Sequence, residues 1–331
     1  MSIDRVSTNA QAQYLLSQIM SADQALDTTQ AQVASGLVST TYAGIGDKTA
    51  ALEGAQAAAD RATAYANNTQ LAVTQTDLQN TQLTTLSSLA TQLKTAITQA
   101  IGNNDGTGLM QTAQSIFDQA SQILNSTDAN GNYIYGGQIA NQQPFTATSL
   151  SDLTQVTNGT PVNVSSFFQN GTQKKSVLVG DGENVQVGVL ASDVGTQLMQ
   201  ALQDVALMDQ PSGSLDGQLS QSQVNELSSG GTVNGVAVAS PLTDATTAAT
   251  NLNTATAANG DVYNQLQDAV TTQQSLSTLY QGFVSNIQDV DMGTAVTQLN
   301  QEQVALQAAL EVTSRLGQVS LLNYLPTVTT G

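Results

Sequence analysis

The chain contains no cysteine, no histidine and no tryptophan. Without cysteine it can build neither a disulfide framework nor a thiolate metal site. Without histidine it lacks the commonest general base and the commonest transition-metal ligand together. Aromatic residues make up 4% of its 331 positions, too few for the ring-filled core of a typical enzyme domain. Charged residues are also scarce, at 10%, yet acids outnumber bases 25 to 7 and the net charge is −18. So few Lys and Arg cannot neutralise a run of phosphates, which excludes a nucleic-acid binder and disfavours an anionic membrane surface. No stretch approaches the roughly 18 apolar residues of a membrane span, so membrane insertion is not expected. The first residues carry Asp4 and no apolar core like that of a secretory signal. If the protein leaves the cell, it is expected to use a route that needs no cleaved leader.

Ala, Gln, Thr, Ser and Asn fill the chain instead, with larger apolar residues at helical spacing. Met292, Val296, Leu299, Gln303, Leu306, Leu310 and Thr313 recur in steps of four and three, the spacing of a coiled-coil seam. Leu15, Ile19, Ala22, Leu26, Thr29, Val33 and Gly36 form a matching stripe near the other end. Neither stripe is wide enough to be buried on all sides, so each needs a partner helix and the termini are expected to pair.

Between them the pattern predicts a helix over 3–35 stopped by Gly36, a turn-rich link, a long helix over 49–101, and a third from Leu109 that ends before Asp128. From Tyr133 to Leu190 the apolar runs shorten. Tyr133-Ile134-Tyr135 then Gly136-Gly137 reads as a short strand and turn, and 176–179 with 185–189 as a hairpin. Residues 194–208 read as a helix and 211–240 as a Gly- and Ser-rich loop with a short helix. Helical pattern resumes near Thr243. The predicted fold is mainly α with a small β-containing insert, an elongated rod of long paired helices formed by both termini. The expected domains are 1–40 with 289–331, a coiled-coil terminal domain; 41–132 with 241–288, a helical rod; and 133–240, a mixed outer domain.

Three local signals carry possible chemistry. Asp128-Ala129-Asn130-Gly131-Asn132 resembles the start of a calcium loop, but its twelfth position is Ile139 where a Glu is required, which favours a plain turn. Asp289 and Asp291 could do acid–base work or cap a helix, and capping is favoured. Lys174-Lys175 has no Gly-rich phosphate loop beside it and reads as solvated surface. No catalytic, metal or cofactor residue is expected.

Val6-Ser7-Thr8-Asn9, Ala34-Ser35-Gly36 and Leu321-Leu322-Asn323-Tyr324-Leu325 resemble the flagellin superfamily. Tyr133-Ile134-Tyr135-Gly136-Gly137, Pro144-Phe145 and the run from Val290-Asp291 to Leu325 are similar to its hook–filament junction branch, the FlgL type. Ala43 to Lys48 stand where many members carry paired acids and a proline. The resemblance implies a thin layer between hook and filament, terminal helices paired in an inner tube, and type III export to an extracellular flagellum. It implies as partners copies of the same chain in a ring or tube, an adjacent hook-associated protein, flagellin and an export chaperone. The assembly seam would then comprise Leu15, Ile19, Ala22, Leu26, Val33, Met292, Val296, Leu299, Leu306, Leu310, Leu321, Leu322 and Leu325. A filament subunit shares both termini and is the nearest rival. A carboxylate-dependent glycan hydrolase, which would need two acids across a cleft, and an adhesin acting through the middle segment are rivals of other classes.

Overall fold

Helix runs unbroken wherever Pro is absent and Ala, Leu, Gln and Thr dominate. The structure, a computed structural model, describes residues 3–209 and 214–322. The chain starts with α1 (Ile3–Ser35), a short α2 (Tyr42–Ile45), the 55-residue α3 (Thr49–Asn103) and α4 (Leu109–Leu124). A one-turn α5 (Leu150–Leu153) precedes the pairs β1 (Val156–Thr157) with β2 (Thr160–Pro161) and β3 (Lys175–Gly180) with β4 (Glu183–Val187). Then come α6 (Ala191–Met208), α7 (Gln221–Ser229), the pair β5 (Gly231–Val233) and β6 (Val236–Val238), the 48-residue α8 (Pro241–Gln288) and α9 (Met292–Leu322). Each strand pair is a two-stranded antiparallel hairpin.

The described chain divides into two compact units, residues 1–61 with 276–331 and residues 62–275. The larger unit holds the main core. Leu83, Leu86, Leu93 and Ile97 of α3 meet Ala113, Ile116, Phe117 and Leu124 of α4, and Leu198, Leu202 and Val205 of α6. The start of α8 adds Ala245, Ala248 and Leu252. Phe145 is fully buried at its centre, with its ring 6.1 Å from Phe117 and 4.9 Å from Phe168, distances at which aromatic pairs add to simple burial. A smaller core forms where Val179, Val185 and Val187 of the β3–β4 hairpin pack on Ala72 and Val73 of α3 and Leu266 and Val270 of α8.

Polar groups are built into the α3–α8 contact. The Asn259 side-chain amide donates to the Thr76 carbonyl at 2.9 Å, and the Ser87 hydroxyl donates to Asn253 at 2.6 Å. Buried polar groups are tolerable only when paired, so these bonds fix which turn of α3 faces which turn of α8.

The Tyr-Ile-Tyr-Gly-Gly segment is not a strand. Its backbone forms a single isolated bridge, Thr127 with Tyr133, and Ile134 and Tyr135 are buried. Its glycine has a packing reason: Gly137 has φ +61°, and a Cβ there would lie 2.6 Å from the Gln173 carbonyl oxygen and 2.5 Å from Leu190. The loop expected over 211–240 contains the β5–β6 hairpin. Asn234 (φ 52°) and Gly235 (φ 81°) sit at its turn, the left-handed pair that a tight hairpin favours.

Candidate functional site

In the smaller unit α1 lies along α9. The small unit also joins the two breaks in its helices. Gly36, at φ +73°, ends α1, and the segment after it bridges the link between α8 and α9. Val38 N–H donates to the Gln288 carbonyl at 2.7 Å and Val290 N–H donates to the Gly36 carbonyl at 2.9 Å. Asp291 then caps α9: its carboxylate accepts from the Gly293 amide at 3.0 Å, the Thr294 amide at 3.3 Å and the Thr294 hydroxyl at 3.0 Å. The Thr294 hydroxyl, followed by the Thr294 and Gly293 amides, holds that carboxyl below the usual carboxylate range. Asp289 is engaged by the Ser285 hydroxyl.

On α1 the side chains of Leu15, Ile19, Ala22, Leu26 and Val33 are half-buried, and Thr29 on the same face is 2% exposed. On α9 the least exposed positions are Ala295, at 3%, with Leu299, Glu302, Leu306 and Ala309 half-exposed. They recur in steps of four and three, so α9 turns one continuous stripe toward α1. Leu299 and Leu306 belong to this stripe. Val296 and Leu310 do not; they lie about a third of a turn further round the helix and are 41% and 51% exposed. Met292, seven residues before Leu299, keeps the spacing of the stripe and is 44% exposed in the first turn of α9. Val304 and Val312 of α9, and Tyr14, Leu16 and Met20 of α1, are exposed as well. Leu321 and Leu322 fall in the last turn of α9, and Leu325 lies outside the described residues.

The arrangement has a simple physical content. A helix pair buries one stripe from each partner, while the next row of apolar side chains stays in water. An apolar row on a helix that already has one partner is what a third helix packs against.

The other signals resolve as local structure. Asp128 accepts from the Asn130 and Asn132 amides at 2.9 Å each, and the Asn132 amide is the main reason its carboxyl sits below the usual range. Asp105 is held low by the Thr107 hydroxyl and amide, and Asp152 by the Thr148 amide and hydroxyl together with the Ser149 amide. Lys175 lies in β3 opposite Val187.

Residues 242–325 match the family model described as the bacterial flagellin C-terminal helical region. No curated protein matches the chain. Among solved structures, a protein described as a flagellar hook-associated protein from Vibrio parahaemolyticus is 14% identical with a TM-score of 0.55, covering 73% of this chain and 97% of its own. FlgL of Bacillus cereus is 15% identical with a TM-score of 0.35, covering 78% of this chain and 98% of its own. Flagellar hook-associated protein-3 of Legionella pneumophila is 15% identical with a TM-score of 0.36, covering 82% and 98%. The first of these likenesses carries the fold, and the matched C-terminal residues take in α8 from its second residue and all of α9. Residues 242–325 are therefore similar to the C-terminal helical region of the bacterial flagellins, and the chain has a flagellin-like fold.

Proposed function

We propose that this chain is a structural subunit of the bacterial flagellum that joins hook to filament and assembles by helical packing of its termini after type III export. The observation that carries this reading is the pair of apolar side chains Val296 and Leu310 on α9, left in water beside a stripe already covered by α1. The flagellin-type C-terminal region and the likeness to a hook-associated protein support it. On this reading residues 1–40 with 289–331 form the inner-tube domain, 41–132 with 241–288 the helical rod domain, and 133–240 the outer domain. The seam residues of α1 and α9, continued through Leu321, Leu322 and Leu325, complete their burial against neighbouring copies. The remaining partners are an adjacent hook-associated protein, flagellin and an export chaperone, and the site of action is extracellular.

The role is mechanical, not catalytic. Asp105, Asp128, Asp152 and Asp291 are all spent on backbone and hydroxyl groups of their own turns, which suits structural capping. Immunogold labelling of isolated flagella tests the proposal. Label confined to the hook–filament joint is expected. Label along the whole filament would favour the filament-subunit reading, and label absent from flagella would refute both.

A further inference from the structure

Among the described residues Asp204 is the only acid that is buried. It lies in α6, among Leu202, Val205 and Ala206, and is 2% exposed. The Gln200 amide donates to its Oδ1 at 3.3 Å, and the Ala239 amide reaches the carboxyl from the segment before α8. Its Oδ2 is fully buried and no N–H or hydroxyl donates to it. What it meets is the side chain of Asp244, in the first turn of α8. Two ionised carboxylates are both acceptors and cannot hydrogen-bond each other; with one proton between them they can.

We propose that Asp204 keeps its proton and hydrogen-bonds through it to the Asp244 carboxylate, forming a pH-dependent latch between α6 and the start of α8. The two carboxyls then carry one negative charge, placed at the N-terminal end of α8, where the helix dipole favours it. Ser240 prepares this end: its hydroxyl accepts from the Thr243 amide at 3.1 Å and donates to the Ser228 carbonyl at 2.7 Å. α6 packs against α4, α5, the 3-10 turn Val164–Phe167, α7 and β6, and shares its core with α3 and the start of α8. The ionisable groups on α4, α5 and α7 are Asp118, Asp152 and Glu226, with Asp193 on α6 and Asp209 just past its end, all of them acids. The core stretch of α3 carries Lys94, and the first turn of α8 carries Asp244. Asp244 is the charge that acts on Asp204.

Burial, then the bond to Asp244 and its charge, raise the Asp204 carboxyl far above the usual range. The folded chain therefore holds a proton that the unfolded chain releases above about pH 4. The latch is fully formed below that value and is lost as pH rises through the higher folded-state value, so alkaline conditions loosen the contact.

The test is a carbon-13 titration of the aspartate side chains in the full chain. One carboxyl is expected to remain protonated at about pH 6, where an ordinary Asp is ionised. That signal should vanish in Asp204→Asn. In Asp244→Asn its midpoint should fall by about one pH unit or more, because the like charge is gone. The thermal midpoint of the wild type should drop between pH 5 and pH 8, and that of Asp204→Asn should drop less. Ionisation of every Asp carboxyl by pH 6 would overturn the proposal, and so would survival of the high signal in Asp204→Asn or its indifference to Asp244→Asn. If Asp204→Asn does not fold, the wild-type and Asp244→Asn titrations decide the matter alone.

Discussion

The double substitution Val296→Gln and Leu310→Gln separates the two apolar rows of α9. Glutamine keeps helix propensity, so the helix itself is not weakened. In the free chain these side chains are already 41% and 51% exposed. Changing them should therefore alter the stability of the free chain by no more than about 0.5 kcal/mol each. In an assembly the other half of each side chain would leave water, a gain of about 1 kcal/mol per residue. Losing both removes roughly 2 kcal/mol from each contact between copies, which is roughly thirtyfold weaker association. The assay is addition of purified protein to hook fragments, with incorporation counted by electron microscopy and thermal melting followed by circular dichroism. The double variant should melt like the wild type and incorporate poorly. Leu306→Gln is the contrast: Leu306 faces α1, so this change should open the terminal pair in the free chain, seen as faster amide exchange over 292–315. Normal incorporation of the double variant would refute the reasoning.

Further outcomes follow from the larger unit and from the cap of α9. Phe145→Ala removes a fully buried ring and should cost about 3–5 kcal/mol, read as a lower denaturant midpoint. Gly137→Ala and Gly182→Ala both place a side chain at positive φ, but only at Gly137 does the new Cβ meet a backbone carbonyl, at 2.6 Å. The Gly137 variant should therefore be the less stable of the two in thermal unfolding, and equal midpoints would contradict the close approach. The Asp291 carboxyl lies below its unfolded-state value, so its stabilisation is present above about pH 4 and is lost as pH falls through the folded value. Asp291→Ala should speed amide exchange in the first turn of α9 at neutral pH, and that difference should disappear in strong acid.

The long helices were legible because their punctuation is unambiguous. The helix expected over 3–35 is α1, stopped at Gly36, and the helix expected over 49–101 extends only two residues further, to Asn103. On α1 the stripe from Leu15 to Val33 keeps its steps of four and three and could be found by spacing alone, although Tyr14, Leu16 and Met20 beside it are exposed. On α9 small residues mark the buried face. Ala295 and Ala309 let the helices approach but carry little hydrophobic signal, whereas Val296 and Leu310 next to them carry more and shift the apparent phase of the stripe. The β5–β6 hairpin was missed: its turn signal stands in Val233-Asn234-Gly235-Val236, but its strands are only three residues each and lie in a Gly- and Ser-rich stretch that reads as loop. The Asp204–Asp244 pair could not be read at all, since its members are 40 positions apart and meet only through the packing of α6 against the start of α8.

The chain has no cysteine, so a single Leu310→Cys gives one thiol whose reactivity reports on one surface. Its labelling rate is measured in the free chain and again after assembly on hook fragments. The account predicts rapid labelling in the free chain and labelling at least about tenfold slower once neighbouring copies cover the outer row of α9. Equal rates in the two states would contradict it.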